Sequence, residues 1–510
     1  MVGTGPAELR LSTDFEGMAI NLPAQFGKDH GGRLKSVFDF AFANDYLRVD
    51  WQYKETEGWY QAANGLTKRV SQGAIGVNAL PLEVEPNYEG VVINGRVSKV
   101  DLADWVSTDG GAAIDPPVSW QMRGLQVDDF IVDDLKFLDL ELSGQGDRNS
   151  AIFQVRGEDV SGSIDLSEPS QLVVDLLTLR LPGLSSDENT LQGNHDPIDL
   201  AFGRALPRAK VFVNELIIGE EPFGRWKFEI SPESGGVRFD IEDVLVNGVA
   251  IKNSALFWDL ERNKSAFSGA AYMQDLAEVL PLWGYAPAVT SKSASVTGNL
   301  SWAGSPANLD IIKSEGGVSL AAMQGRFLDV ESAQAGLRVL SLLNITALTK
   351  RISFDFSDVV GEGISFEEVF GDVQIEGQKL SFTKNLIIKS TSSRYEFGGE
   401  VDLSGKALDA EMIVTLPVGD SLPWYAAYLA FANPIAGLSV AVGERVFRKP
   451  IERMSSAKFV VSGTLDDPEV TFTELFNKDI KEADAAGERL SPDLLKEQDE
   501  GASAPSGVAR

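Results

Sequence analysis

Tyr395-Glu396-Phe397-Gly398-Gly399-Glu400-Val401-Asp402-Leu403 is the stretch from which the fold can be read. Tyr395 and Phe397, then Val401 and Leu403, alternate with polar residues, which is the period of a strand with one apolar and one wet face. Gly398-Gly399 between them reads as a turn. Outward from this point the rhythm repeats. Val373 and Ile375, Leu380 and Phe382, and Val414 and Leu416 alternate, as do Phe459 and Val461, then Val470 and Phe472. Upstream come Phe354 and Phe356, then Leu138, Leu140 and Leu142, Leu177, Leu179 and Leu181, and, near the start, Leu9, Leu11, Thr13 and Phe15. Gly235-Gly236, Glu376-Gly377-Gln378 and Asp466-Asp467-Pro468 supply further turn signals. Antiparallel hairpins and a strand content well above that of an average domain are expected.

A looser recurrence overlies the alternation. Asn94-Gly95-Arg96-Val97, Thr297-Gly298-Asn299-Leu300, Gly398-Gly399-Glu400-Val401 and Ser462-Gly463-Thr464-Leu465 share one reading. A strand ends in glycine, a second begins with alternating apolar residues, and a turn closes it. Repeated strand–turn units suggest an open sheet extended in one direction. Helical windows are few: Asp275–Leu282 and Ala333–Thr349. Val106–Pro117 and Ser185–Pro197 read as long polar loops.

Composition narrows the chemistry. The 510 residues carry 45 Lys+Arg against 75 Asp+Glu, a formal charge of −30, with no cysteine and two histidines. A hydrophobic content of 43% supports a large core and excludes wholesale disorder. The acidic balance argues against nucleic acid, whose phosphates are bound by displacing counterions with Lys and Arg. Disulfides, thiolate metal sites and cysteine nucleophiles are excluded. No phosphate-binding glycine loop and no Gly-x-Ser-x-Gly elbow occurs. His30 and His195 lie far apart, and Asp355, Asp358, Glu362, Glu367 and Glu368 fit no calcium loop. The chain is therefore read as non-enzymatic, with no catalytic residue, metal or cofactor.

Two segments differ from the rest. Ser421 to Gly443 carries no charge, is interrupted by Pro423, Asn433, Pro434 and Gly437, and is followed by Arg445, Arg448, Lys449 and Arg453. It reads as short apolar helices lying in a membrane interface, as a buried helical hairpin capping a sheet, or as a span. The membrane-contact candidates are Trp424, Tyr425, Tyr428 and Phe431 at headgroup depth, with Arg445, Arg448 and Lys449 as the basic flank. Residues 476–510 are polar, charged or small and read as a disordered tail. The N-terminus lacks the basic and apolar regions of a signal peptide.

Arg351-Ile352-Ser353-Phe354-Asp355-Phe356-Ser357-Asp358-Val359, followed by Gly363-Ile364-Ser365-Phe366 and Gly371, resembles the AsmA-like C-terminal region of YhdP-family proteins. Leu300-Ser301-Trp302-Ala303-Gly304-Ser305-Pro306 is similar to a strand turn of that family. Trp258-Asp259-Leu260, Leu282-Trp283-Gly284-Tyr285, Val414-Thr415-Leu416-Pro417-Val418 and Ser462–Pro468 support the match, and Asp14-Phe15-Glu16-Gly17, Leu22-Pro23 and Gly27-Lys28 extend it to the start. The resemblance implies a mainly β fold: an elongated, twisted antiparallel sheet curled into an open trough, with a few short helices and a helical C-terminal cap. It divides the chain into a YhdP-like central β region at 1–105, a continuing sheet with long loops at 106–210, an AsmA-like β region at 211–475 that includes 421–453, and the tail.

The same resemblance implies a periplasmic protein of a Gram-negative bacterium, inner-membrane anchored in the full-length family, with this chain expected to be the C-terminal half of a longer protein or a truncated gene product. It implies passive phospholipid transport between the inner and outer membranes and maintenance of envelope permeability. Its expected partners are phospholipid acyl chains, a membrane surface through 421–453, and outer-membrane or periplasmic proteins. The alternative is a non-enzymatic envelope scaffold that binds protein partners. The candidate groove residues are Phe354, Phe356, Phe366, Val373 and Ile375, then Leu380, Phe382, Tyr395 and Phe397, then Val401, Leu403, Val414 and Leu416.

Overall fold

Alternating apolar residues build strands over most of the chain. The computed structural model describes residues 7–476, apart from 107–118, 183–195, 329–363, 416–455 and several shorter stretches. The chain divides into two compact units, Met1–His195 with Asp199–Val246, and Asp196–Ile198 with Asn247–Arg510.

The first unit opens with β1 (Ala7–Thr13), β2 (Ser36–Phe42), β3 (Tyr46–Tyr53), β4 (Thr56–Ala63) and β5 (Val70–Val77). It continues through β6 (Gly90–Asp101), α1 (Leu102–Val106), β7 (Trp120–Val132), β8 (Leu135–Gly146), β9 (Ala151–Arg156), β10 (Val160–Glu168) and β11 (Gln171–Leu181). It ends with α2 (Leu200–Ala205), β12 (Ala209–Ile218), β13 (Glu221–Glu233) and β14 (Gly236–Val246). Successive strands are neighbours, and β1 and β14 do not pair with each other, so this sheet is open.

The expectation of antiparallel pairing needs correction here. β5–β6, β6–β7 and β11–β12 run parallel. Parallel neighbours need a long crossover to bring the chain back to the same end. Twelve to 27 residues separate the strands of each parallel pair in sequence (78–89, 102–119 and 182–208), and most of the two polar loops noted in the sequence, 107–117 and 185–195, lies outside the described residues. In the first crossover, Asn94 Nδ2 donates to Leu80 O at 3.1 Å and Leu82 N–H donates to Asn94 Oδ1 at 3.1 Å. These bonds hold 80–82 against β6.

The second unit holds β15 (Val249–Asp259), β16 (Lys264–Met273), α3 (Leu276–Leu282), β17 (Val289–Thr290), β18 (Ser293–Ala303) and β19 (Glu315–Phe327). Then come β20 (Ile364–Glu376), β21 (Lys379–Lys389), β22 (Arg394–Asp402), β23 (Leu408–Thr415), β24 (Ser456–Gly463) and β25 (Pro468–Phe476). Its pairings are antiparallel, and β15 and β25 do not pair. The chain is thus mainly β with open sheets. The helical windows at 333–349 and 421–453, the latter including the expected cap, lie outside the described residues, as does the tail beyond 476.

The glycine reading also needs correction. Gly398-Gly399 is not a turn; β22 runs straight through it. A Cβ on Gly399, whose φ is +130°, would meet Asp409 O at 2.4 Å and Ala410 Cα at 2.5 Å on β23. Gly95 and Gly298 likewise sit inside β6 and β18, where a Cβ would meet Val77 O at 2.0 Å and Gly317 O at 2.2 Å. These glycines admit the close approach of a neighbouring backbone rather than ending a strand.

Motifs quoted for the resemblance are structural. Trp302 is buried, and its Nε1 donates to Ser305 O at 2.9 Å. Ser265 Oγ donates to Gly304 O at 2.8 Å, and Ser305 N–H donates to Asp196 Oδ2 at 2.6 Å. Together these bonds fix the Gly304–Pro306 turn. Asp275 caps α3 by accepting from Ala277 N–H at 3.0 Å, and Trp283 closes that helix.

Candidate functional site: the apolar faces of the two units

In the second unit, cross-strand register gathers eight of the groove candidates on one face. Ile375 opposes Leu380, Leu380 opposes Val401, and Val401 opposes Leu408. Val373 opposes Phe382. Ile388, Tyr395, Val414 and Ala457 form the next row, and Leu386, Phe397, Met412, Phe459 and Phe472 another. Residues directly opposite across a ladder share a face, so the rows are one surface. Phe366 opposes Gly325 and packs on Phe327 at a ring separation of 5.1 Å. Leu403 lies in the β22–β23 turn, its N–H bonded to Gln378 O. Phe354, Phe356, Leu416 and the membrane-contact residues Trp424, Tyr425, Tyr428, Phe431, Arg445, Arg448 and Lys449 lie outside the described residues.

Most of this face is buried. Ile388 and Met412 are 0% exposed, Val401 1% and Phe459 2%, and Phe366, Phe397 and Val414 belong to the same buried cluster. Among the candidates, Leu380, Phe382, Tyr395 and Leu403 remain half-buried.

The first unit presents a different surface, which the sequence reading missed. A single cross-strand row runs through every strand from β1 to β14. Leu11, Phe38, Trp51, Gly58 and Ile75 are successive partners on β1 to β5. Ile93, Met122, Gly144 and Phe153 continue on β6 to β9. Ile164, Val174, Val211, Phe228 and Ile241 complete it on β10 to β14. No polar side chain interrupts it. Apart from exposed Leu11 and buried Gly58, every member is half-buried. A parallel row, Leu125, Leu142, Val155, Gly162, Leu176, Val213, Trp226 and Val244, is more deeply set; Leu125, Leu176, Val213 and Val244 are buried.

The signal for this row was partly present. Phe38 and Phe40, Trp51, and Val211 and Val213 alternate in sequence, but a row depends on which strands become neighbours. Bulges also disturb the pattern. Leu177 is the extra residue where Thr178 opposes Ser161 but Leu176 opposes Gly162, and it is 62% exposed. Leu138 is 50% exposed beside Asp139, whose φ is +49°, while Phe137 and Leu140 on either side are buried.

The opposite faces carry charge. Arg10 donates to both Asp39 oxygens at 2.6 and 2.8 Å, and those bonds hold the Asp39 carboxyl below its ordinary pKa. Arg48 pairs with Asp50 at 2.8 Å and lies 4.4 Å over the Trp59 ring, and Arg225 pairs with Asp243 at 2.6 Å. In the second unit, Lys384 pairs with Asp372 at 2.5 Å. Burial opposes the Asp372 charge, but hydrogen bonds from Lys384 and Ser319 outweigh it and lower its pKa. Exposed pairs of this kind contribute little to stability, because solvent screens them.

Among the described residues, no group of three or more His, Asp or Glu side chains could hold a metal ion, and no helix is long and apolar enough to cross a membrane. The fold and its surfaces therefore define a class: an open β-sheet protein whose strands line up continuous apolar rows on one face and carry ion pairs on parts of the other.

The family model for the YhdP protein matches residues 3–470, and the chain belongs to the YhdP family. It is 20% identical over 403 residues to the intermembrane phospholipid transporter YhdP of Escherichia coli (strain K12), covering 76% of this chain and 31% of that protein. The chain thus spans about a third of the length of the relative it matches. No solved structure matches it.

Proposed function

We propose that this chain carries phospholipid along the apolar faces of its sheets, as part of passive lipid movement between the two membranes of a Gram-negative envelope. The observation that supports this most is the row from Leu11 to Ile241, apolar throughout and, apart from exposed Leu11 and buried Gly58, half-buried, with Ile75, Met122, Val174 and Val211 also packed against the unit's buried cluster. Family membership and the name of the E. coli relative point the same way.

The energetics fit hydrocarbon. Each methylene removed from water contributes about 0.8 kcal/mol, so a 16-carbon tail gains on the order of 10 kcal/mol when fully covered. A row of similar side chains at the regular strand spacing of ~4.8 Å offers nearly the same environment at each step. A chain lying on it slides with little change in energy, while its headgroup stays in water. No proton transfer or covalent step is required. In this reading the protein works in the periplasm, and 421–453 meets a membrane surface.

Benzophenone side chains placed at Val174 and Val211 test the reading. Incubated with vesicles of tritiated phosphatidylethanolamine, the protein should become labelled at both positions and not from Arg10 or Arg225 on the opposite face. Absence of lipid label at Val174 and Val211, with protein crosslinks forming at loops instead, would favour the scaffold.

A further inference from the structure

The row in the first unit contains two glycines, and each is covered by the ring directly across the ladder. Gly58 opposes Trp51, and a Cβ built on Gly58 would lie 2.5 Å from Trp51 Cζ2 and 2.9 Å from Cη2. Gly144 opposes Phe153, and its Cβ would lie 3.0 Å from Phe153 Cδ1. One row over, Gly146 opposes Trp120, and its Cβ would lie 2.7 Å from Trp120 Cζ2. The Trp120 and Phe153 rings are 5.3 Å apart, so together they roof the Gly144–Gly146 stretch of β8. The second unit repeats the device: a Cβ on Gly325 would lie 2.5 Å from Cζ of Phe366, its direct partner.

A glycine in such a row leaves a strip of bare peptide about one strand wide, ~4.8 Å. Peptide groups offer an acyl chain no apolar contact, so a lipid crossing the strip would lose burial there. The rings occupy that strip. A Cβ on the glycine would meet both the ring and a neighbouring backbone oxygen (Ala74 O at 2.5 Å from Gly58, Ile152 O at 2.8 Å from Gly144, Ser150 O at 2.5 Å from Gly146), so glycine admits the ring and the adjacent backbone together.

We propose that Trp51, Phe153 and Trp120 are positioning residues that bridge glycine gaps and keep the apolar row continuous for lipid. This inference rests on the lipid-carrying reading above. It goes beyond the packing that an aromatic ring over a glycine gives any sheet, because it requires the cover to be apolar and not merely present.

The test places a benzophenone at Phe38 or at Ile93, on either side of Gly58, in the full chain. Label from tritiated phosphatidylethanolamine vesicles is compared between the two positions. Trp51→Gln keeps a long side chain over Gly58 but makes it polar; Trp51→Phe keeps it apolar. In Trp51→Gln the Phe38-to-Ile93 labelling ratio should shift by about tenfold, the effect of losing roughly two methylenes of burial. In Trp51→Phe the ratio should stay at its parent value. Thermal melting of both variants reports on the fold, and Phe153→Gln, read at Met122 and Ile164, provides a second gap if Trp51→Gln does not fold. An unchanged ratio in a folded Gln variant overturns the proposal, as does an equal loss of label on both sides. Absence of label in the parent protein at both positions overturns the lipid-carrying reading itself.

Discussion

The two units solve the same problem differently. Each presents an apolar sheet face, yet in the second unit the rows through Ile388, Met412 and Phe459 are mostly buried, whereas in the first a half-buried row through Trp51, Phe153 and Val174 runs beside a buried one through Leu125, Leu176 and Val213. Alternation specifies that a face is apolar; it does not specify what lies against it. Apolar area left partly in water must be tolerated for a reason, and contact with hydrocarbon is the reason proposed here.

Four measurements would break or sharpen that contrast. The largest effect is expected from charge. Ile388→Asp places a carboxylate where the native side chain is 0% exposed and should cost more than about 4 kcal/mol, seen as loss of cooperative unfolding in urea. Val174→Asp in the half-buried row should cost about 1–2 kcal/mol yet abolish lipid label at Val211. Similar stability losses at the two sites would erase the distinction.

Next in size are cavities. Met412→Ala should cost about 2–4 kcal/mol and Val211→Ala about 1 kcal/mol or less, read as midpoint shifts at constant slope.

A smaller effect involves pH. The Asp372 pKa is lowered in the folded protein, so its contribution is complete above the ordinary carboxylate value of 3.8 and is lost as pH falls through the folded value. Stability of the parent should drop more steeply than that of Asp372→Asn below about pH 4. Parallel pH curves would show that the Lys384 pair adds nothing.

The smallest change is expected from Arg225→Ala on the charged face. It should shift stability by under about 1 kcal/mol and leave lipid label at Phe228 intact. Loss of label there would mean that the charged face, not the apolar row, meets the lipid.

Much of this was legible one strand at a time. Tyr395 and Phe397, Val373 and Ile375, and Phe459 and Val461 do share a face, because a period of two is local and the backbone enforces it. The helical window Asp275–Leu282 was also legible from local pattern, and α3 occupies Leu276–Leu282 of it. Partner choice was not. Nothing near Val91 or Trp120 announces that β6 and β7 run side by side in the same direction, since that depends on a crossover folding back. Gly399 misled because a glycine that ends a strand and one that admits a neighbour look identical in sequence. The row in the first unit escaped notice because its members are contributed one per strand.

The bond from Ser305 to Asp196 has a consequence for synthesis. Its two ends are 109 residues apart, and Asp196 is made first, before β12–β14 of the other unit exist. At the usual pace of translation, roughly 5–20 residues per second, that carboxylate emerges several seconds before the turn it will staple. A fragment starting at Asn247 would contain every strand of the second unit but leave the Ser305 amide without its acceptor. The genetic seam between the units is therefore not a clean cut, and swapping one half between relatives should carry the short stretch around Asp196 along with the later half.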